Sequence, residues 1–164
     1  MLYMYTHIHQ PNHPMPQSLS GVHLHIIFST KNHLPLIDDE IKTHLFHYIG
    51  GVCHTIECPS LQVGGYHDHI HILCRLSRNM SQAQLVEELK KRSSKWIKTR
   101  HDRYQNFYWQ RGYGIFSVNP YNLDRVVGYI KNQETHHQKM TFKEEFRAYL
   151  EKFQIDYDER YVWD

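Results

Sequence analysis

Residues 67–73 read His-Asp-His-Ile-His-Ile-Leu, with histidine on alternate positions and isoleucine between and after the last two. Alternation of this kind marks a β-strand, whose successive side chains point to opposite faces. His67, His69 and His71 then share one face, and Ile70 and Ile72 the other. Such a strand commits imidazoles to a single surface, either as a polar face or as a metal site. The triplet alone decides little, because His7-Ile8-His9 and His23-Leu24-His25 repeat it in a chain with 15 histidines. The first repeat lies in a Pro/His/Gln-rich leader, residues 1–17, expected to be flexible.

The surrounding pattern predicts an α+β fold. Residues 21–31 read as a buried strand, followed by a helix from about Asp38 to Gly50, with Gly50-Gly51 as its stop. Residues 60–66 and 67–76 read as two strands joined by a tight Gly64-Gly65 turn. Ser81 can cap a long helix whose inner stripe is Leu85, Leu89, Ser93, Trp96 and Ile97, with Lys91, Lys95 and Lys98 on an outer one. Residues 107–119 are strand-rich, and Pro120 opens a last helix through YNLDRVVGYIKNQETHHQ. The order β-α-β-β-α-β, with an additional C-terminal helix, gives a ferredoxin-like antiparallel sheet. The boundaries expected are a leader at 1–17, one domain at 18–140 and a tail at 141–164 packed on that domain.

Composition excludes some classes. No run of eighteen apolar residues is present, and the N-terminal stretch is too polar for a signal peptide. Cys53, Cys58 and Cys74 are odd in number and form no CxxC pair, which fits a reducing cytoplasm. The formal net charge is +2, yet residues 90–103 hold seven Lys/Arg against one Asp, leaving twelve basic and sixteen acidic residues elsewhere. This concentrated patch is a phosphate footprint, with a solvated helix face as the competing reading. Lys91, Arg92, Lys95, Lys98 and Arg100, beside Tyr104, Phe107, Tyr108 and Trp109, combine cations with stacking rings, as single-stranded nucleic acid requires. Trp96 falls on the core stripe and is read as packing.

On the last helix Leu123, Val126, Val127 and Ile130 form the inward stripe, while Tyr129 and Gln133 stand four residues apart on its flank. His136 and His137 continue that edge. Singly these are ordinary amphipathic residues. Two strand histidines facing a tyrosine and an amide one turn apart say more.

Taken together, HLHIIFSTK, DHIHIL, ELKKRSSKWIK, WQRGYGIFSV and YIKNQ followed by HH resemble the HUH single-tyrosine transposases. These are the enzymes of the smallest bacterial insertion sequences (the IS-two-hundred type), including relatives associated with repetitive extragenic palindromes. The resemblance spans nearly all of residues 18–140. It implies metal ligands at His69, His71 and Gln133, a nucleophile at Tyr129, and Mg²⁺ or Mn²⁺ as cofactor. The histidines alone would fit Zn²⁺ as well. It also implies cleavage and rejoining of single-stranded DNA near hairpins through a 5′-phosphotyrosine, by a homodimer in the bacterial cytoplasm whose Tyr helix can act in its own subunit or complete the histidine site of the partner. His25 and His137 are candidates to orient a ligand from behind, and His137 is also the rival third ligand. Gly112 and Gly114 are candidate hinge or close-packing positions. Two other classes stay open: a histidine-triad-like nucleotide hydrolase, although Asp68 breaks that signature, and a non-catalytic single-stranded nucleic-acid-binding module. The latter is favoured if Tyr129 cannot approach His69 and His71.

Overall fold

The computed structural model describes residues 18–163; the 1–17 leader, with its His7-Ile8-His9 triplet, lies outside the described residues. Four strands, β1 (His23–Ser29), β2 (Ser60–Gly65), β3 (His69–Arg75) and β4 (Gly114–Val118), form one antiparallel sheet in the order β2-β3-β1-β4. This is the ferredoxin-like arrangement expected. Helices α1 (Asp39–Thr55) and α2 (Gln82–Lys98) cover one face, and α3 (Leu123–Lys131), α4 (Gln133–His137) and α5 (Phe142–Lys152) follow β4.

Every residue of β3 from His69 to Cys74 is buried, because both faces of the sheet are covered. On the first face Leu24, Ile26, Phe28, Ile70, Ile72 and Cys74 pack against Leu45 and Ile49 of α1 and Leu85 and Leu89 of α2. Burying a side chain of this kind contributes roughly 1.5–3 kcal/mol. On the second face a smaller cluster joins Ile27 and Phe116 to Phe142, Phe146 and Leu150 of α5. The register pairs Ile27 with His71 and Ser29 with His69, so the histidines share this second face. Cys53, Cys58 and Cys74 are all free and buried. Among the described residues no helix is long and apolar enough to cross a membrane.

Four local expectations are corrected. Helix α1 runs through Gly50-Gly51 to Thr55, because Val52 and Cys53 extend its buried stripe. That burial outweighs the roughly 1 kcal/mol that each helical glycine costs. The β2–β3 turn is Tyr66-His67-Asp68, not Gly64-Gly65, and His67 leaves the strand to bond Asp39 at 3.2 Å. Both glycines are paired strand residues needed for close approach: a Cβ on Gly64 would lie 2.7 Å from the Ile130 carbonyl oxygen, and one on Gly65 2.2 Å from that of His69. Residues 107–119 supply only the short β4, because the Lys90 ammonium gathers the carbonyls of Gln110, Arg111 and Gly112 at 2.7–3.0 Å and turns the chain ahead of it. Finally, the last helix breaks at Asn132, and a further capped helix, α5, follows within the segment expected as a tail.

Candidate active site

The site lies on the second face of the sheet, beneath α3, α4 and α5. β3 delivers His69 and His71, both with no exposed surface. β2 runs beside them with Gly64 opposite His71, and the missing side chain lets Ile130 of α3 close onto the strand. That approach brings Tyr129 to the histidines, with ring centroids of Tyr129 and His71 5.9 Å apart. Beyond the Asn132 break, Gln133 is almost wholly buried and His137 follows one turn on.

Each histidine is held from behind. His69 Nδ1 lies 2.6 Å from Asp68 Oδ1, and that bond turns Nε2 toward the cluster. His71 Nδ1 lies 2.9 Å from His25 Nε2, so donation from His71 leaves a lone pair on its own Nε2. His137 Nδ1–H donates to the Met140 carbonyl at 2.7 Å, aiming its Nε2 the same way. Gln133 Oε1 sits 3.2 Å from His69 Nε2 and 2.9 Å from His137 Nε2.

At the centre stands Glu145, a buried carboxylate from α5 that no sequence expectation included. Its Oε2 is 3.3 Å from His71 Nε2 and 3.1 Å from His137 Nε2. Its Oε1 accepts from Gln133 Nε2 at 3.2 Å and from the Tyr129 hydroxyl, which also lies 3.3 Å from His136 Nε2. The clue in the sequence is TFKEEF: Thr141 and Glu144 form a capping box, which sets Glu145 on the inward side between Phe142 and Phe146. A carboxylate on an apolar stripe requires buried partners.

Electrostatics follow from this packing. Burial opposes ionisation of Glu145, but the His71 imidazole beside it and the His137 hydrogen bond hold its carboxyl far below the usual range. Burial and then the Glu145 charge push the Tyr129 phenol well above its ordinary value. Burial lowers His25 and also His71, the latter against the pull of Glu145. His137 is raised, the Glu145 hydrogen bond overcoming burial.

The donors fit a divalent cation. Ligand atoms of His69, His71, His137 and Glu145 all lie within 4.8 Å of one another. His71 Nε2 is buried without a hydrogen-bond partner, a costly arrangement that a bound cation would relieve. Mixed imidazole and carboxylate donors suit Mn²⁺ or Zn²⁺ at least as well as Mg²⁺.

The basic run is not brought to this cluster. Helix α2 packs on the sheet's first face, with Lys91 and Lys95 exposed on its outer surface. Arg92 pairs with Glu88, Lys98 lies 3.7 Å over the Tyr108 ring, and Arg100 lies over Trp96. Of the rings expected to stack on nucleic acid, Tyr104, Phe107 and Trp109 belong to the core, where Trp109 Nε1 donates to Ser93; Tyr108 alone of the four is exposed. Trp96 stacks on Tyr48. Gly114 is a close-packing position, since a Cβ there would meet the Phe146 ring at 2.6 Å.

A family model described as Transposase IS200 like matches residues 18–133. The chain belongs to the IS200-like transposase family. The family match ends at Gln133, before His136, His137 and Glu145, so part of the cluster lies outside it. Among solved structures, a candidate transposase from Deinococcus radiodurans R1 has a TM-score of 0.57 and 17% identity, covering 73% of this chain and 98% of its own. The REP-associated tyrosine transposase bound to a REP hairpin has a TM-score of 0.55 and 16% identity, covering 75% and 72%. Both likenesses show a shared fold. A search of curated proteins finds no match.

Proposed function

We propose that this transposase-family protein cleaves and rejoins single-stranded DNA near hairpins, with Tyr129 as nucleophile and a divalent metal at the histidine cluster. One observation carries the reading: within a single chain, the Tyr129 hydroxyl and both strand histidines converge on the same carboxylate, Glu145. The hairpin in the REP-associated neighbour supports the substrate class.

In this reading the Tyr129 oxygen attacks the scissile phosphorus. The new bond is Tyr129 Oη–P, the broken bond is P–O3′, and the products are a 5′-phosphotyrosine and a free 3′-OH. Attack by a 3′-OH on that linkage rejoins the strand, so no nucleotide energy source is required. The phenol hydrogen is bonded to Glu145, a carboxylate held so far below its usual range that it accepts a hydrogen bond and not the proton, so the proton lost from Tyr129 is balanced through solvent by the one gained at the O3′ leaving group. A divalent cation held by His69, His71 and Gln133, with His137 and Glu145 beside them, would polarise the phosphate and take up the Glu145 charge that otherwise keeps Tyr129 protonated. Asp68 and His25 fix the orientation of His69 and His71 throughout.

The condition that favours a binding-only module, Tyr129 remote from the histidines, is not met. Lys91, Arg92, Lys95, Lys98 and Arg100 would serve DNA away from the cut, across the sheet from it. The homodimer implied by the family is retained as part of the proposal, to be measured by light scattering; mixing Tyr129→Phe with His69→Ala protein and looking for restored adduct separates use of the tyrosine in cis from use in trans. The test is a denaturation-resistant adduct with labelled hairpin DNA from the sequence flanking the gene, in Mn²⁺. An adduct lost in Tyr129→Phe and in EDTA supports the reading. A wild-type protein that binds this DNA yet forms no adduct refutes it.

A further inference from the structure

A cleft of about 500 Å³ opens beside Tyr129, between α3 and α5 and over the edge strand β4. Its volume falls in the range of small-ligand sites, roughly 300–1,000 Å³. Tyr129 and Glu145 close its inner end. Aromatic rings make the floor and far wall: the Phe116 centroid lies 5.0 Å from that of Tyr149 and 4.8 Å from that of Phe153. At the mouth, exposed Arg125 of α3 and exposed Lys152 of α5 bring a cation to each wall. Among the described lining residues the one carboxylate is Glu145, already engaged by Gln133, His137 and Tyr129.

Rings between two cations, ending at a tyrosine positioned to attack phosphate, suit a ligand that is flat, aromatic and anionic at its edges. An aliphatic side chain would use the rings but leave Arg125 and Lys152 without partners. Nucleic-acid bases stack on such rings whatever their identity, while neighbouring phosphates take the cations. We propose that this cleft is a base pocket, which takes the nucleotide adjoining the scissile phosphate and stacks its base on Tyr149 and Phe153. Arg125 and Lys152 hold the phosphates on either side. The exposed Asn119 and Asn122 amides at the mouth supply donors and acceptors that can read the base edge. The proposal rests on Tyr129 being the nucleophile and adds to it a determinant of where the strand is cut.

Two arms test it. In the first, hairpin DNA with randomised bases around the cut is offered to wild type, Phe153→Ala and Ala148→Trp, and the trapped adducts are sequenced. Ala148 is exposed on the α5 wall, so tryptophan there fills the cleft without entering the core. The expected result is a base preference at one flanking position of about tenfold, the scale of one base edge read by Asn119 or Asn122, flattened in both variants because an unseated base no longer meets those amides. An identical preference profile in wild type and both variants overturns the pocket while leaving the tyrosine chemistry standing. In the second arm, Tyr129→Phe protein binds the same hairpin carrying 2-aminopurine at successive positions. Quenching at one position, relieved by Ala148→Trp, supports the pocket even if no adduct forms in wild type, an outcome that would sink the proposed function alone. Quenching that Ala148→Trp leaves unchanged, or none at any position, overturns the pocket, as does relief only on dilution of a dimer, which assigns the cleft to a second copy of the chain.

Discussion

Tyr129 donates its hydroxyl hydrogen to Glu145 Oε1, and the other oxygen of that carboxylate lies 3.3 Å from His71 Nε2. Nucleophile and metal-ligand candidates thus share one anion, supplied by a helix beyond the family match. Removing the charge while keeping the shape separates its roles. Glu145→Gln is expected to weaken Mn²⁺ binding at least about tenfold, the lower end for loss of even a supporting partner. Calorimetric titration of wild type and variant measures this. Unchanged affinity would remove Glu145 from the ligand set and leave it as the partner of Tyr129 alone.

His137 sets a pH dependence in the metal-free protein. Its pKa is raised in the folded state, so its stabilising contribution is complete below the unfolded value of 6.5 and is lost as pH rises through the folded value. His25 and His71, lowered by burial, act with the opposite sign below 6.5. Lys90, lowered to about 8 by burial, adds stability as pH rises from there toward its unfolded value of 10.5. Comparing wild type with His137→Gln cancels the His25 and Lys90 contributions and leaves His71 altered only by the loss of its His137 neighbour. The stability difference between the two, from urea unfolding, should shrink from pH 6 to pH 8.5; a constant difference would show that His137 does not titrate as the geometry requires.

The sheet glycine opposite His71 makes a mechanical prediction. In Gly64→Val the added side chain would collide with the backbone and side chain of Ile130 and push α3 off β2. The cost is about 1–3 kcal/mol, typical of overpacking. Adduct formation should fall more than stability explains, because Tyr129 precedes Ile130. Thermal unfolding and adduct rate, measured together, decide this; a rate that stays normal in a folded variant would show that α3 need not sit so close.

Charge reversal on α2 isolates the far basic surface. Lys91→Glu with Lys95→Glu should weaken DNA binding and take about 0.7 off the log–log salt slope for each phosphate that the protein no longer neutralises. The adduct rate at saturating DNA should hold, since neither lysine reaches the cluster. A salt slope identical to wild type would leave α2 as a solvated face.

The sequence made the sheet legible because period-two alternation and helical stripes report burial directly. HIHIL, the Ser81 cap and the Leu85–Leu89–Ser93–Ile97 stripe all appear in the structure at the expected element. It misled where one residue type serves two ends. Gly64 and Gly65 look like a turn, but they are glycines because α3 and the β3 backbone lie against them. Phe107 and Trp109 look like stacking rings, but the sheet's first face needed them as core. Tyr129, Gln133, His69 and His71 could be paired only through the family pattern, since nothing in spacing says that a helix sixty residues later covers a given strand. Glu145 had a local signal, a carboxylate at an inward helical position, whose partners only tertiary packing reveals.

The order of the site along the chain has a consequence for synthesis. β3 leaves the ribosome with its two imidazoles long before α5 does, and the sheet needs only β4, at Gly114–Val118, to be complete. Glu145 follows β4 by more than two dozen positions, so a nascent chain can hold its finished sheet while the anion that bridges tyrosine and histidines is still in the exit tunnel. The helix that carries Glu145 therefore follows the sheet it completes, and the order of synthesis brings the bridging anion last to the cluster.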